Sequence, residues 1–95
     1  MNAPLQTGLN AISDPTRLAI LHSIADHPFP VVDLARDFSV SRPAISQHLR
    51  VLKDAGLVND RRQGTRRVYY IDPAGMEALK AHFDSLWRTV LISVK

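Results

Sequence analysis

The segment that most restricts the fold is residues 41–56, which read SRPAISQHLRVLKDAG. It carries the start and stop signals of an α-helix, because Ser41 is a good N-cap, Pro43 is tolerated in a first turn and Gly56 is a favoured residue after the last turn. One side of this helix is a narrow apolar stripe and the other side is polar. The stripe consists of Ile45, Leu49 and Leu52. We therefore expect one side to pack on a core and the other to remain free.

A short helix and a tight turn precede this segment. Val31, Leu34 and Phe38 recur at i, i+3 and i+7, which predicts a helix that ends near Ser39. The turn FSVSR then leads directly into the next helix. Two helices joined in this way predict a helix-turn-helix over about residues 31–55.

Another helix is predicted upstream, in the sequence SDPTRLAILHSIADHP. Asp14 is its N-cap, Pro15 occupies its first position and Pro28 stops it. We predict an inner face made of Leu18, Leu21, Ile24 and Ala25.

The pattern changes after residue 56, where LVNDRR and RRVYYI flank a QGT turn. These segments are rich in β-forming residues and predict a two-stranded hairpin over about residues 57–71. Asp72 and Pro73 then start a last helix over about residues 73–94. The predicted fold is mainly α (α+β): a single winged helix-turn-helix domain over residues 1–95, with about five helices and the hairpin as the wing before the last helix.

The last helix carries more apolar residues than a domain of 95 residues is expected to cover. A partner subunit would cover the remainder. The apolar residues at helical spacing are Met76, Leu79, Phe83, Leu86, Trp87, Val90, Leu91 and Val94. A short opening helix over about residues 4–13 also has an apolar side, with Leu5, Leu9 and Ile12.

Positive charge is concentrated in one part of the chain. Residues 41–67 contain seven cationic and two acidic side chains, a net charge of +5, whereas the whole chain has a net charge of +3. Such clustering favours binding to a polyanion. Near the tip of the hairpin lie Arg61, Arg62, Arg66 and Arg67. They predict phosphate or minor-groove contacts, although a solvated hairpin edge would also carry arginine.

The outer face of the helix at residues 41–56 has the side chains that read base edges. An α-helix fits the DNA major groove, where Arg pairs with guanine, Gln with adenine and Ser with either base. An ordinary solvated helix also carries Arg and Gln, and the neighbouring turn and hairpin favour DNA recognition over that alternative. We predict base readout by Arg42, Ser46 and Gln47, with Pro43 on the same face, and backbone contacts from Ser41, His48 and Arg50. For His48, a hydrogen bond within the motif is an equal alternative.

Three segments resemble the ArsR/SmtB family of bacterial winged-helix repressors: SDPTRLAIL, DLARDFSVSRPAISQHLRVLKDAGLV and RRQGTRRVYYI. The resemblance covers about residues 9–87. It implies a homodimer paired through the first and last helices, which binds an inverted-repeat operator in double-stranded DNA and blocks transcription. The interface residues expected on this basis are Leu5, Leu9, Leu86, Trp87, Val90 and Leu91.

Metal sensing has little support in the sequence. The chain has no cysteine, and the thiolate pair of metal-sensing family members falls on Pro30 and Val32 here. The resemblance implies a second site on the paired last helices, for which this chain offers Glu77, His82 and Asp84. His82 and Asp84 do not share a helix face. We expect no metal site and no cofactor, and a metal-responsive repressor with His and carboxylate ligands across the dimer interface remains an alternative.

Enzyme chemistry also has little support, since Ser46 and His48 are two residues apart on one helix and no glycine-rich phosphate loop is present. No apolar run reaches the roughly 20 residues of a membrane span, and the first residues do not read as a secretion signal, so we expect a cytoplasmic protein. No residue pattern identifies an inducer. A winged-helix module that binds only other proteins is a further alternative. Loss of the basic outer face would favour it, but that face is intact in this sequence.

Overall fold

Between residues 3 and 93, the part described by the computed structural model, the chain forms five helices and three strands; side chains are described for residues 6–92. The elements are α1 (Ala3–Ile12), α2 (Pro15–Asp26), β1 (Phe29–Pro30), α3 (Val31–Asp37), α4 (Arg42–Asp54), β2 (Val58–Gln63), β3 (Arg66–Ile71) and α5 (Pro73–Ser93). This order confirms the predicted winged helix-turn-helix class. The sheet has one strand more than predicted.

The predicted helix starts are confirmed by hydrogen bonds. The Asp14 carboxylate accepts a bond of 2.9 Å from the backbone N–H of Arg17, and the Ser41 hydroxyl accepts one of 3.2 Å from the N–H of Ala44. At α5, the Asp72 carboxylate accepts a bond of 3.1 Å from the N–H of Ala74. Each bond satisfies a backbone donor that the first turn of a helix leaves free.

Helix α4 ends at Asp54, and Gly56 terminates it from just beyond the last turn, as the sequence predicts. This glycine has a φ of +78°, a conformation that side chains disfavour. Its N–H donates to the carbonyl of Lys53 at 2.9 Å, and the N–H of Leu57 donates to that of Leu52 at 3.1 Å. The pair of bonds is a Schellman motif, which turns the chain from α4 into β2.

The core lies between α2, α3, α4 and the base of the wing. Its fully buried members include the predicted stripe of α4, and the larger ones are Ile20, Ile24, Leu34, Ile45, Leu49, Leu52, Leu57 and Val58. The predicted inner face of α2 was partly wrong, since Leu18 is 39% exposed and Ala25 is exposed. Helix α2 is rotated so that Ile20 meets the core, because it packs against α1, α4 and β3.

The unpredicted strand β1 joins the wing to the start of α3. Phe29 pairs with Tyr69 and Pro30 pairs with Val68, so the strand order is β1-β3-β2. Proline cannot donate to a strand ladder, but it is tolerated on an edge strand such as this one. The two prolines of HPFPVV made this segment look like a simple break between helices.

Helix α5 begins against the rest of the domain and then leaves it. A Cβ atom on Gly75 would lie 1.7 Å from the backbone oxygen of Gly56, so the two backbones touch directly at this point. Leu79 is buried, and Met76 and Phe83 are half-buried against the core. Beyond Phe83 the described part of the helix is exposed. No helix within residues 3–93 combines the length and apolar character that crossing a membrane requires.

Candidate nucleic-acid interface

The outer face of α4 is held towards solvent by the burial of its opposite face. Ile45, Leu49 and Leu52 are each 0% exposed, which fixes the rotation of the helix about its axis. The predicted DNA-facing residues Ser41, Arg42, Pro43, Ser46, Gln47 and Arg50 are all exposed. The structure therefore brings them together on one surface of a well-anchored helix.

Arg50 has only a loose partner on this surface. Its Nε lies 4.0 Å from a carboxylate oxygen of Asp54, and the two side chains are 77% and 72% exposed. Such an exposed ion pair contributes little free energy because water screens both charges. Arg50 thus keeps its guanidinium available for a phosphate.

The wing presents its arginines on both faces of the hairpin. Arg62 is opposite Arg67 in the strand register, and Arg61 is opposite Val68. Opposed residues of an antiparallel pair project to the same side, and neighbours along a strand project to opposite sides. Arg62 and Arg67 therefore share one face, and Arg61 and Arg66 share the other.

Arg61 and Arg66, which share one face, each have one weak contact. The Arg61 guanidinium lies 5.1 Å from the centre of the Tyr70 ring, a cation–π contact that leaves its donors free. Arg66 lies 4.0 Å from the carboxylate of Asp33 on α3 and is 58% exposed. Both arginines retain hydrogen-bond donors for a phosphate.

A groove of about 210 Å³ connects the wing to the start of α4. Arg42 of the helix and Arg66 and Arg67 of the wing line it, together with Pro30, Val31, Val32 and Thr65. The predicted base-reading and backbone-contacting cations thus adjoin one another. We refer to Arg42, Arg50 and the four wing arginines, all of them exposed, as the basic surface.

The sequence did not predict the position of one acidic residue within this basic surface. The side chain of Asp60 in β2 is only 3% exposed and pairs with Lys53 of α4 and Arg67 of β3. Hydrogen bonding to Lys53, with a further contribution from Arg67, holds the pKa of Asp60 below its usual value despite its burial. The available signal was one aspartate among the arginines of a hairpin, with Lys53 at the end of the preceding helix.

His48 is half-buried, whereas the predicted base-reading residues of α4 are exposed. Asp14 has a lowered pKa, chiefly because the backbone N–H of Arg17 donates to it, and the charges of Arg17 and His48 act in the same direction. Its partial burial favours the interpretation in which His48 interacts within the domain.

The other histidines do not gather around a common centre. His22 and His27 are exposed, and the His27 ring stacks on Phe29 with ring centres 4.6 Å apart. His82 is half-buried beside Gly8 and Leu79 in a cavity of about 160 Å³. Among the described residues of a single chain, no three His, Asp or Glu side chains are placed to hold a metal ion.

A second exposed surface lies on the distal half of α5 and is apolar. Leu86 is 53% exposed, Trp87 59%, Val90 38% and Leu91 63%. Ile92, which is not among the predicted interface residues, is 73% exposed. Of the predicted interface residues on α1, Leu9 is half-buried, and the side chain of Leu5 lies outside the described residues. Exposed apolar side chains grouped in this way on one helix are typical of an interaction surface.

A helix-turn-helix with a polar outer face and an arginine-rich wing defines the class of winged helix-turn-helix DNA-binding proteins. The family model for "Bacterial regulatory protein, arsR family" matches residues 14–60. The chain belongs to the ArsR family, as the resemblance predicted, and it is a DNA-binding transcriptional regulator. The family comprises transcriptional regulators rather than enzymes.

Similar proteins cover most of the chain. It is 54% identical over 81 residues to the HTH-type transcriptional regulator Rv2034 of Mycobacterium tuberculosis, a match over 85% of this chain and 76% of that protein. It is 43% identical over 60 residues to the transcriptional repressor SdpR of Bacillus subtilis, over 63% of this chain and 66% of that protein. The crystal structure of a possible transcriptional regulator for arsenical resistance is 41% identical, with a TM-score of 0.78 over 93% of this chain and 95% of that one.

Proposed function

We propose that the protein is a homodimeric repressor that binds an inverted-repeat operator and occludes a promoter. One observation carries the proposal: α4 presents Arg42, Ser46 and Gln47 on an exposed face whose direction is fixed by a fully buried stripe. A helix held in this way enters the major groove in a defined orientation, which base readout requires. The name of the SdpR relative supports repression as the sign of regulation.

The dimer follows from the distal half of α5. Two copies related by a twofold axis bury the same apolar surface against itself, which is the usual geometry of a soluble dimer. Two α4 helices about 34 Å apart then face successive major grooves on one side of a duplex. The expected operator is therefore an inverted repeat with half-site centres about one helical turn apart.

Within this interface, Arg42, Ser46 and Gln47 contact base edges. Ser41, Arg50 and the wing residues Arg61, Arg62 and Arg66 contact the backbone. Selection from random duplex DNA tests the operator directly. We expect the purified protein to enrich an inverted repeat, and Gln47→Ala to alter the base preferred within each half-site. An unchanged site and affinity for Gln47→Ala would contradict the assigned direction of the outer face.

The wing is tested by salt dependence. Arg66→Ala is expected to weaken binding similarly for all sequences and to reduce the slope of log K against log salt by about 0.9 for one lost phosphate contact. Lys80→Ala is the matched control, because Lys80 is an exposed cation on α5 that pairs with Asp84 at 2.7 Å. Equal slopes for the two variants would place Arg66 outside the interface.

Zinc discriminates this function from metal-responsive repression. Repeating the selection with added zinc and with a chelator is expected to give the same site and the same affinity. Release of the operator by zinc would instead point to ligands assembled across the dimer from Glu77, His82 and Asp84. Failure to enrich any sequence, with a stable fold, would favour a module that binds only proteins.

A further inference from the structure

Asp60 is the most enclosed charged group on the basic surface. Its side chain is 3% exposed, although it lies in a hairpin whose neighbouring residues 61–67 are all exposed. Its two carboxylate oxygens bind different cations: Oδ1 accepts from Lys53 Nζ at 2.6 Å, and Oδ2 accepts from an Nη of Arg67. One carboxylate thus links the last turn of the recognition helix α4 to strand β3 of the wing.

The link is strongly charge-dependent. The Lys53 and Arg67 side chains are 48% and 55% exposed, but both point their charge at the enclosed carboxylate. Hydrogen bonding to Asp60 raises the pKa of Lys53, as it does that of Arg67, so both cations are stabilised by the contact. Without the carboxylate, two positive charges on different elements would converge on one point and repel.

The same contact removes charge from the DNA-binding surface. Residues 41–67 contain seven cationic side chains, and Asp60 offsets part of the charge of two of them, Lys53 and Arg67. Cations that reach phosphates freely increase affinity for every sequence, whereas base contacts increase affinity for one. A carboxylate that engages two cations therefore lowers sequence-independent binding more than operator binding.

We infer that Asp60 sets the DNA specificity of this protein, by fixing the wing against the recognition helix and by holding Lys53 and Arg67 away from phosphates. This inference rests on the DNA-binding function proposed above. It assigns Asp60 as a positioning residue that does not touch DNA. It also revises the expectation for Arg67, which acts first as a partner of Asp60 rather than as a phosphate contact.

Asp60→Asn tests the inference, with Asp54→Asn as the matched control. Asp54 has the same charge and lies in the same region. Its side chain is 72% exposed, and its contact with Arg50 is loose, with 4.0 Å between the charged atoms. The measurement is affinity for the selected operator and for an unrelated duplex over a series of salt concentrations.

For Asp60→Asn we expect the ratio of operator to unrelated-duplex affinity to fall about tenfold, because the two released cations increase the affinity for unrelated DNA. The salt slope for the unrelated duplex should steepen by up to about two units, because two cations are released to phosphates. For Asp54→Asn the ratio should stay within about twofold of the unmodified protein. The same ratio in both variants would overturn the inference.

A readout without DNA separates this inference from the proposed function. Amide hydrogen exchange of the unbound protein should show faster exchange in the hairpin, residues 58–71, for Asp60→Asn only, with α4 unchanged. Adding Lys53→Gln to Asp60→Asn replaces the repelling cation with a neutral amide and should restore much of the protection. If the unmodified protein binds no DNA, the proposed function fails, and exchange still decides whether Asp60 holds the wing.

If Asp60→Asn unfolds the protein, amide exchange will be fast throughout the chain. In that case Lys53→Gln alone provides the test, since it leaves the pairing of Asp60 with Arg67 intact. We expect this variant to expose the hairpin amides partially and to lower the affinity ratio several-fold. Unchanged exchange and an unchanged ratio in Lys53→Gln would contradict the inference.

Discussion

Replacing Trp87 by alanine is expected to convert the proposed dimer into monomers without unfolding the chain. Trp87 is 59% exposed on the distal half of α5, so the isolated chain gains little from its side chain. In the proposed dimer, by contrast, it is the largest apolar group available to the interface. The substitution therefore separates association from folding.

The size of the effect follows from the exposed area. An aromatic side chain has about 150–250 Å² to bury, so an exposed fraction of 59% corresponds to roughly 90–150 Å² in each copy. At about 25 cal/mol per Å², this area contributes roughly 2–4 kcal/mol per copy. The twofold axis doubles the loss to roughly 4–7 kcal/mol, which raises the dissociation constant of the dimer about a thousandfold or more.

Sedimentation velocity over a dilution series measures this dissociation constant. The matched control is Arg88→Ala, which shortens an exposed side chain at the neighbouring position and removes little apolar surface. We expect Arg88→Ala to remain dimeric at concentrations where Trp87→Ala is monomeric. Circular dichroism should show the same helix content for both variants and the unmodified protein.

If the dimer buries only half of the exposed Trp87 area, Trp87→Ala should still raise the dissociation constant about a hundredfold. A dissociation constant for Trp87→Ala within tenfold of the Arg88→Ala value would therefore refute the reasoning. The dimer would then use another surface, and the distal half of α5 would bind something else.

Three further predictions concern stability, measured by urea unfolding. Gly75→Ala should lower the free energy of unfolding by at least about 3 kcal/mol, because the new Cβ would lie 1.7 Å from the Gly56 oxygen. Gly64 has a φ of +66° and open space around it, so Gly64→Ala should lower it by only about 1–2 kcal/mol. Equal losses in the two variants would contradict the close approach of Gly75 to Gly56. Asp14→Ala should lose about 0.5–2 kcal/mol through the missing N-cap, and no loss would show that water replaces the cap fully. The pKa of Asp60 is lowered in the folded state, so its contribution is complete above the unfolded pKa and is lost as pH falls through the folded one. The stability difference between the unmodified protein and Asp60→Asn should therefore shrink below about pH 4, and a constant difference would argue against this ionic contribution.

Much of the fold could be predicted because its signals are local. Asp14, Ser41 and Asp72 each cap the helix that follows, and Gly56 ends α4 in the left-handed conformation that glycine favours. The outer face of α4 followed from the spacing of its buried stripe. Each of these features depends on residues within a few positions of one another.

The features that were missed depend on contacts between distant segments. Strand β1 exists because Phe29 and Pro30 meet residues about forty positions later in the chain, and prolines conceal such pairing in the sequence. The choice between Leu18 and Ile20 for the core was decided by the neighbours of α2, since both are apolar. The simultaneous pairing of Asp60 with Lys53 and Arg67 likewise depends on how α4 lies against the hairpin.

The pairing of β1 with β3 has a consequence for how the protein meets its target. The base of the hairpin is hydrogen-bonded to the segment that begins α3, so the wing and the helix-turn-helix form one preorganised body. Most of the conformational entropy of the reading surface is then lost during folding rather than on the duplex, where a floppy arm would lose it at every encounter. The short strand therefore favours a protein that samples many DNA sites rapidly, because its reading surface reorganises little at each one.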